Sequence, residues 1–78
     1  MRVINLASGS KGNCTLIEGE NSALLIDCGL DLTRIEELIY EAGCDVSKIK
    51  AILVTHTHSD HIKSVVKFQK KYGITVYA

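Results

Sequence analysis

The sequence predicts an α/β fold, a mixed sheet with two helices. Two observations point there. The apolar pattern alternates between short strand-length runs and stretches of helical period, and two of the early runs are separated only by Gly19, Glu20 and Asn21. With 78 residues the chain suffices for one small domain, which buries only ~60% of the surface its unfolded form exposes.

Arg2 to Leu6 reads as a first strand, running into a loop of small and polar residues, Ala7 to Asn13, where two glycines permit sharp bending. Cys14 to Glu18 and Ser22 to Asp27 form a β-hairpin, and ALLID in the second arm is apolar on both faces, as a central, covered strand requires. Leu32 to Ala42 follows as an amphipathic helix. Ile35, Leu38, Ile39 and Ala42 share a face, Thr33 and Glu36 are spaced as a capping box, and Gly43 supplies the stop. Ala51 to Val54 is a buried strand. A second helix from about Asp60 to Tyr72 groups Ile62, Val65, Val66 and Gln69, turns Lys63, Lys67, Lys70 and Lys71 outward, and closes at Gly73. Ile74 to Tyr77 completes the set as a strand.

Nine Lys plus Arg balance nine Asp plus Glu, so global charge points to neither nucleic acid nor an anionic membrane; such a partner has to be recognised locally. The lysines of the second helix read as a solvated face. Cys14, Cys28 and Cys44 are odd in number and contain no CxxC pair, which predicts reduced thiols. The N-terminus lacks the apolar stretch of a signal peptide and no run approaches the ~20 residues of a membrane span. A soluble, cytoplasmic protein with no membrane partner is the expectation.

THTHSDH, residues 55 to 61, holds all three histidines of the chain and one of its acids. In extended backbone at a strand end, His56 and His58 project from one side and can converge on one ion. Asp60 and His61 supply an oxygen and a nitrogen for a neighbouring ion. Neutral imidazole suits zinc at ~2.0 to 2.1 Å, and two metals ~3.5 to 4 Å apart can clamp the attacking and leaving oxygens of a hydrolysis. The competing interpretation is a polar loop that caps a helix through Ser59 or Asp60, with the histidines incidental.

The motif, directly after AILV, resembles the H-x-H-x-D-H signature of the metallo-β-lactamase superfamily. That resemblance implies the N-terminal part of an αββα sandwich, with His56, His58, Asp60 and His61 as ligands of up to two zinc ions, manganese and iron being alternatives. It also implies a catalytic role for Asp60. Asp27, ending LLID, resembles the family's early acidic residue, which braces the metal loop by hydrogen bonds; a turn aspartate before Gly29 is the alternative.

LASGSKGN, LLIDCG and ITVYA are similar to the YycJ-like branch, described as metal-dependent exonucleases of double-stranded DNA. By that resemblance Ser8, Gly9, Ser10, Gly12 and Asn13 lie near the metal edge, Ser8, Ser10 and Asn13 being the candidates for meeting DNA or another phosphodiester; a ligand-free Gly/Ser turn is equally compatible. Where many superfamily members have a small, glycine-rich helix entry, this chain has Ile62, Lys63 and Ser64, a form shared by the branch.

The family's remaining ligands lie downstream of the motif, whereas here no histidine follows His61 and no acid follows Asp60. The expectation is therefore a single partial domain over residues 1–78. Hydrolysis by a zinc-activated hydroxide, of a phosphodiester in the first place with DNA ends, RNA and small esters or thioesters all open as substrates, belongs to the complete domain, and this chain alone is inactive or nearly so. An apolar sheet surface left without its covering layer predicts either a homo-oligomer or a fragment of a longer chain. A non-catalytic, metal-binding or self-associating module is the alternative.

Overall fold

The computed structural model describes residues 1–8, 13–55 and 64–77 in full and 59–63 as backbone. Five strands form one sheet in sequence order: β1 (Arg2–Ala7), β2 (Cys14–Glu18), β3 (Ala23–Ile26), β4 (Ile49–Leu53) and β5 (Thr75–Tyr77). The first three pair antiparallel and the last three parallel, so the sheet is mixed. Helix α1 (Leu32–Glu41) and a short 3-10 turn (Val46–Lys48) connect β3 to β4, and α2 (Ser59–Tyr72) connects β4 to β5.

Both helices pack on one face of the sheet. Leu16, Leu25 and Ile52, paired across β2, β3 and β4, are fully buried beneath Ile35 and Ile39 of α1 and Phe68 of α2. On the other face Val3, Ile17, Leu24 and Ala51 make a cross-strand row, and Ile26, Leu53 and Tyr77 extend the next. Val3 is 65% exposed, Leu53 38% and Tyr77 55%, so this apolar face has no cover among the described residues. β3 is central, as the ALLID pattern predicts. It is covered on one face only: Ala23 and Leu25 are buried, Leu24 and Ile26 half-buried.

Two local expectations are corrected. The Thr33–Glu36 capping box does not form. Asp31 is the N-cap and makes no side-chain cap bond, while Glu36 is drawn across to Lys71 at 2.8 Å and to the Tyr72 hydroxyl. The buried face of α2 is Ser64, Val65 and Phe68 with Tyr72 half-buried, whereas Val66 is 38% exposed and Gln69 is exposed. Phe68 decides the helix rotation: a fully buried phenyl ring removes more apolar surface than Val66 could, and Val65, Phe68 and Tyr72 keep helical spacing. The stops are as expected. Gly43 (φ 79°) and Gly73 (φ 65°) take the left-handed conformation that ends each helix.

At the opposite end of the sheet from the motif, Arg2 Nε donates to Glu18 Oε1 at 2.6 Å and Lys48 Nζ to Oε2 at 3.3 Å. This clamp ties β1 and β2 to the turn before β4. The Arg2 guanidinium, helped by the Cys44 thiol and Lys48, lowers the Glu18 carboxyl to about 2.

Candidate metal centre

Because β3, β4 and β5 run parallel, their carboxyl ends reach one edge of the sheet, where an open α/β sheet places its ligands. β1 ends and β2 begins at that same edge, with Ala7 opposite Cys14. The loop containing Ser8 and Asn13 therefore starts and finishes there. Ser8 and Asn13 are exposed, and the Asn13 carbonyl accepts from Gly29 N–H at 3.0 Å, which fastens the loop exit to the chain leaving β3. Ser10, Gly9 and Gly12 lie outside the described residues.

Asp27 is the pivot of this edge. Its N–H donates to the Leu53 carbonyl at 2.7 Å, the last rung of the β3–β4 ladder. Beyond that rung the side chain takes over from the backbone: Oδ1 accepts from Thr55 N–H at 2.8 Å and Oδ2 from the Thr55 hydroxyl at 2.6 Å. Asp27 is also the only described non-glycine residue with positive φ, at 63°. Aspartate tolerates that region better than most residues because its short side chain can bond locally. The kink shifts the strand alternation by one. Ala23 and Leu25 face the core, strict alternation would send residue 27 after them, and instead Cys28 is buried.

Cys28 lies against Cys14. The Cys14 thiol, burial, and the Asp27 charge together push the Cys28 thiol well up, so Cys28 is a packing group under the edge rather than a nucleophile, with Cys14 fully buried beside it. All three cysteines are free and buried, in keeping with reduced thiols.

Asp27 thus reaches Thr55, the residue before His56, a partner that the sequence patterns did not reveal. The available signal was position: Thr55 immediately precedes His56. His56 and His58 lie outside the described residues, as do the side chains of Asp60 and His61, whose backbone forms the first turn of α2. Among the described residues no group of three or more His, Cys, Asp or Glu side chains comes together to hold an ion. The donor set fits a metal by its chemistry, three imidazoles and a carboxylate in six positions. The structure describes what flanks His56 and His58: Thr55 is bonded to Asp27, and α2 begins at Ser59.

Residues 7–78 match the profile of the Metallo-beta-lactamase superfamily. The chain belongs to that superfamily. It is 42% identical over 73 residues to exodeoxyribonuclease YycJ of Bacillus anthracis, covering 94% of this chain and 28% of that protein. To exodeoxyribonuclease WalJ of Streptococcus pneumoniae it is 44% identical over 73 residues, covering 94% and 27%. The chain thus spans less than a third of either relative's length. A class B3 di-zinc metallo-beta-lactamase, LRA-12 from an Alaskan soil metagenome, shares the fold with a TM-score of 0.74 at 24% identity, over 82% of this chain and 25% of that one. The metallo-β-lactamase fold expected from the motif is therefore the one observed, as the portion comprising a mixed sheet and two helices.

Proposed function

We propose that this chain forms the metal-loop portion of a metal-dependent hydrolase that cleaves phosphodiesters, specifically an exonuclease acting on DNA. The observation that carries this reading is the Asp27–Thr55 clasp, which fixes the chain where it enters His56-x-His58-x-Asp60-His61, in a sequence 42% and 44% identical to two exodeoxyribonucleases. His56 and His58 would hold one ion, Asp60 and His61 a second. Zinc, when bound, supplies Lewis-acid polarisation of the phosphoryl group. The rest is done by the chain itself: Asp27 and Thr55 orient the loop, and Ser8, Ser10 and Asn13 stand at the same edge as candidate substrate contacts.

The 78 residues alone are proposed to bind metal weakly and to turn over slowly or not at all, because the relatives are more than three times as long. Zinc titration against a competing chelator, with nuclease assay on linear duplex DNA, tests both parts. The wild-type chain should take up metal and His56→Ala/His58→Ala should not. Equal uptake by the two would sink the metal assignment, and robust zinc-dependent turnover by the short chain would sink the claim that it is inactive alone.

A second reading, a self-associating metal-binding module, is favoured by one feature: the apolar sheet face carrying exposed Val3, Leu53 and Tyr77. Sedimentation velocity separates the two, a concentration-independent monomer counting against the second.

A further inference from the structure

The zero net charge hides a segregation. Residues 1–45 carry Arg2, Lys11 and Arg34 against eight acids, net −5, whereas residues 46–78 carry six lysines against Asp60 alone, net +5. The fold makes this linear asymmetry a spatial one. The second half supplies β4, α2 and β5, the last two strands at one side of the sheet with the helix that packs on β5. The first half supplies β1 to β3 and α1, which reaches across to β1.

Not all the lysines are free. Lys48 is committed to Glu18 at 3.3 Å and Lys71 to Glu36 at 2.8 Å, so these two tie the basic flank to the acidic one. Lys67 and Lys70 are exposed and have no ion-pair partner among the described residues. Lys50 is exposed and donates to the Ser47 carbonyl at 3.3 Å, with no ion-pair partner among the described residues. Two hollows lie along this flank. One of about 580 Å³, between the start of α1 and α2, has Lys67, Ser64, Thr33 and Arg34 in its wall; its acids are Asp31 and Glu37, the latter paired with Arg34 at 3.1 Å. The other, of about 320 Å³ at the far end of α2, is lined by Lys50 and Lys71 with Tyr72.

We propose that this flank, through Lys50, Lys67 and Lys70, binds the phosphodiester backbone of duplex DNA and guides it toward the loop at the N-terminal end of α2. The inference rests on the nucleic-acid reading above and names the surface that would serve it. Charge complementarity carries it: three cations with no ion-pair partner among the described residues lie in the basic second half, eight of the nine acids belong to the first, and of these Asp31 and the Arg34-paired Glu37 share a hollow with Lys67, an arrangement that attracts a polyanion despite zero net charge. Lys67 stands eight residues past the start of α2, about 12 Å along the helix axis, so a bound strand would pass from the loop directly onto the flank.

The test is anisotropy of a labelled short DNA duplex titrated with the chain in the presence of chelator, from about 25 to 200 mM salt. Binding should weaken linearly in log–log form. Lys50→Gln/Lys67→Gln/Lys70→Gln should shrink the slope by about 2 to 3 and weaken binding at ~50 mM salt at least about tenfold, with an unchanged melting curve because all three side chains are exposed. Lys67→Arg/Lys70→Arg should keep the slope, and Glu20→Gln/Glu41→Gln on the acidic flank should leave it unmoved. An unchanged slope in the triple variant overturns the proposal, as does the absence of salt-dependent binding. Equal lysine-dependent binding to phosphatidylserine vesicles would assign the flank to a membrane surface and overturn it too. Chelator removes metal and turnover from this assay. Its failure therefore leaves the zinc titration standing, and failure of that titration leaves this result readable.

Discussion

The two carboxylate oxygens of Asp27 accept separately from the backbone N–H and the hydroxyl of Thr55, at 2.8 and 2.6 Å. One side chain thereby continues the β3–β4 ladder past its last backbone rung and holds Thr55, the residue that precedes His56. Supporting partners of this kind typically alter metal affinity ~10- to 100-fold when removed. Asp27→Ala should lower zinc affinity by that order and destabilise the fold by about 1–3 kcal/mol, since it loses two charge-assisted bonds and puts alanine at positive φ. Asp27→Asn, which tolerates the backbone and can still accept one bond, should fall between. Chelator-competition titration and urea melts of the three proteins make the comparison.

Thr55→Val and Thr55→Ser separate the hydroxyl from the shape of the side chain. Serine retains the donor to Asp27 and should bind zinc within a few-fold of wild type; valine should follow Asp27→Ala in direction with a smaller effect, the backbone N–H bond remaining. Equal zinc affinities in valine and serine variants would show that the hydroxyl does not position the loop.

Acid stability should depend on Glu18. The Arg2 guanidinium chiefly holds its folded-state pKa at about 2 against an ordinary 4.5, so the unfolded chain binds the proton at higher pH than the folded one. The clamp's contribution is thus fully present above pH 4.5 and is lost as pH falls from there toward 2. Glu36, lowered by Lys71 and Tyr72, acts in the same direction. Glu18→Gln should flatten the fall in melting temperature between pH 5 and 3 relative to wild type.

Phe68→Ala should cost about 3–5 kcal/mol. A domain of this size holds roughly 4–12 kcal/mol in all, so the variant should be largely unfolded by circular dichroism. Val66→Ala, on the half-exposed side of the same helix, should cost well under half as much. The reverse order would restore the helix face that the sequence pattern suggested.

That pair of residues shows where the sequence was legible. Element order, the hairpin and both glycine stops follow from local patterns, each set by a few neighbouring residues, whereas the role expected of Asp27 comes from the family resemblance alone. The rotation of α2 does not, because Ile62, Val65, Val66 and Phe68 offer competing apolar faces, and what lies beneath the helix selects between them. Glu36 shows the same limit. Its spacing from Thr33 fits a cap, yet Lys71 and Tyr72, distant in sequence, capture it. Thr55 was hidden for a further reason: its function exists only through a partner 28 residues earlier.

Leu53→Lys and Tyr77→Lys probe the uncovered sheet face. If it drives self-association, either substitution should shift the sedimentation profile toward monomer at equal concentration, with melting little altered because both side chains are already partly exposed.

The left-handed turn at Asp27 also restricts what can stand there. Its backbone accepts glycine and asparagine readily, and its hydrogen bonding asks for two acceptor oxygens on a short stem. Glycine satisfies the first condition alone. Glutamate brings both oxygens on a stem one methylene too long, and asparagine turns one acceptor into a donor facing another donor. Aspartate alone meets both demands, so a saturation library at position 27 should return a single fully competent residue, and the rank of the remainder would show which demand is the stricter.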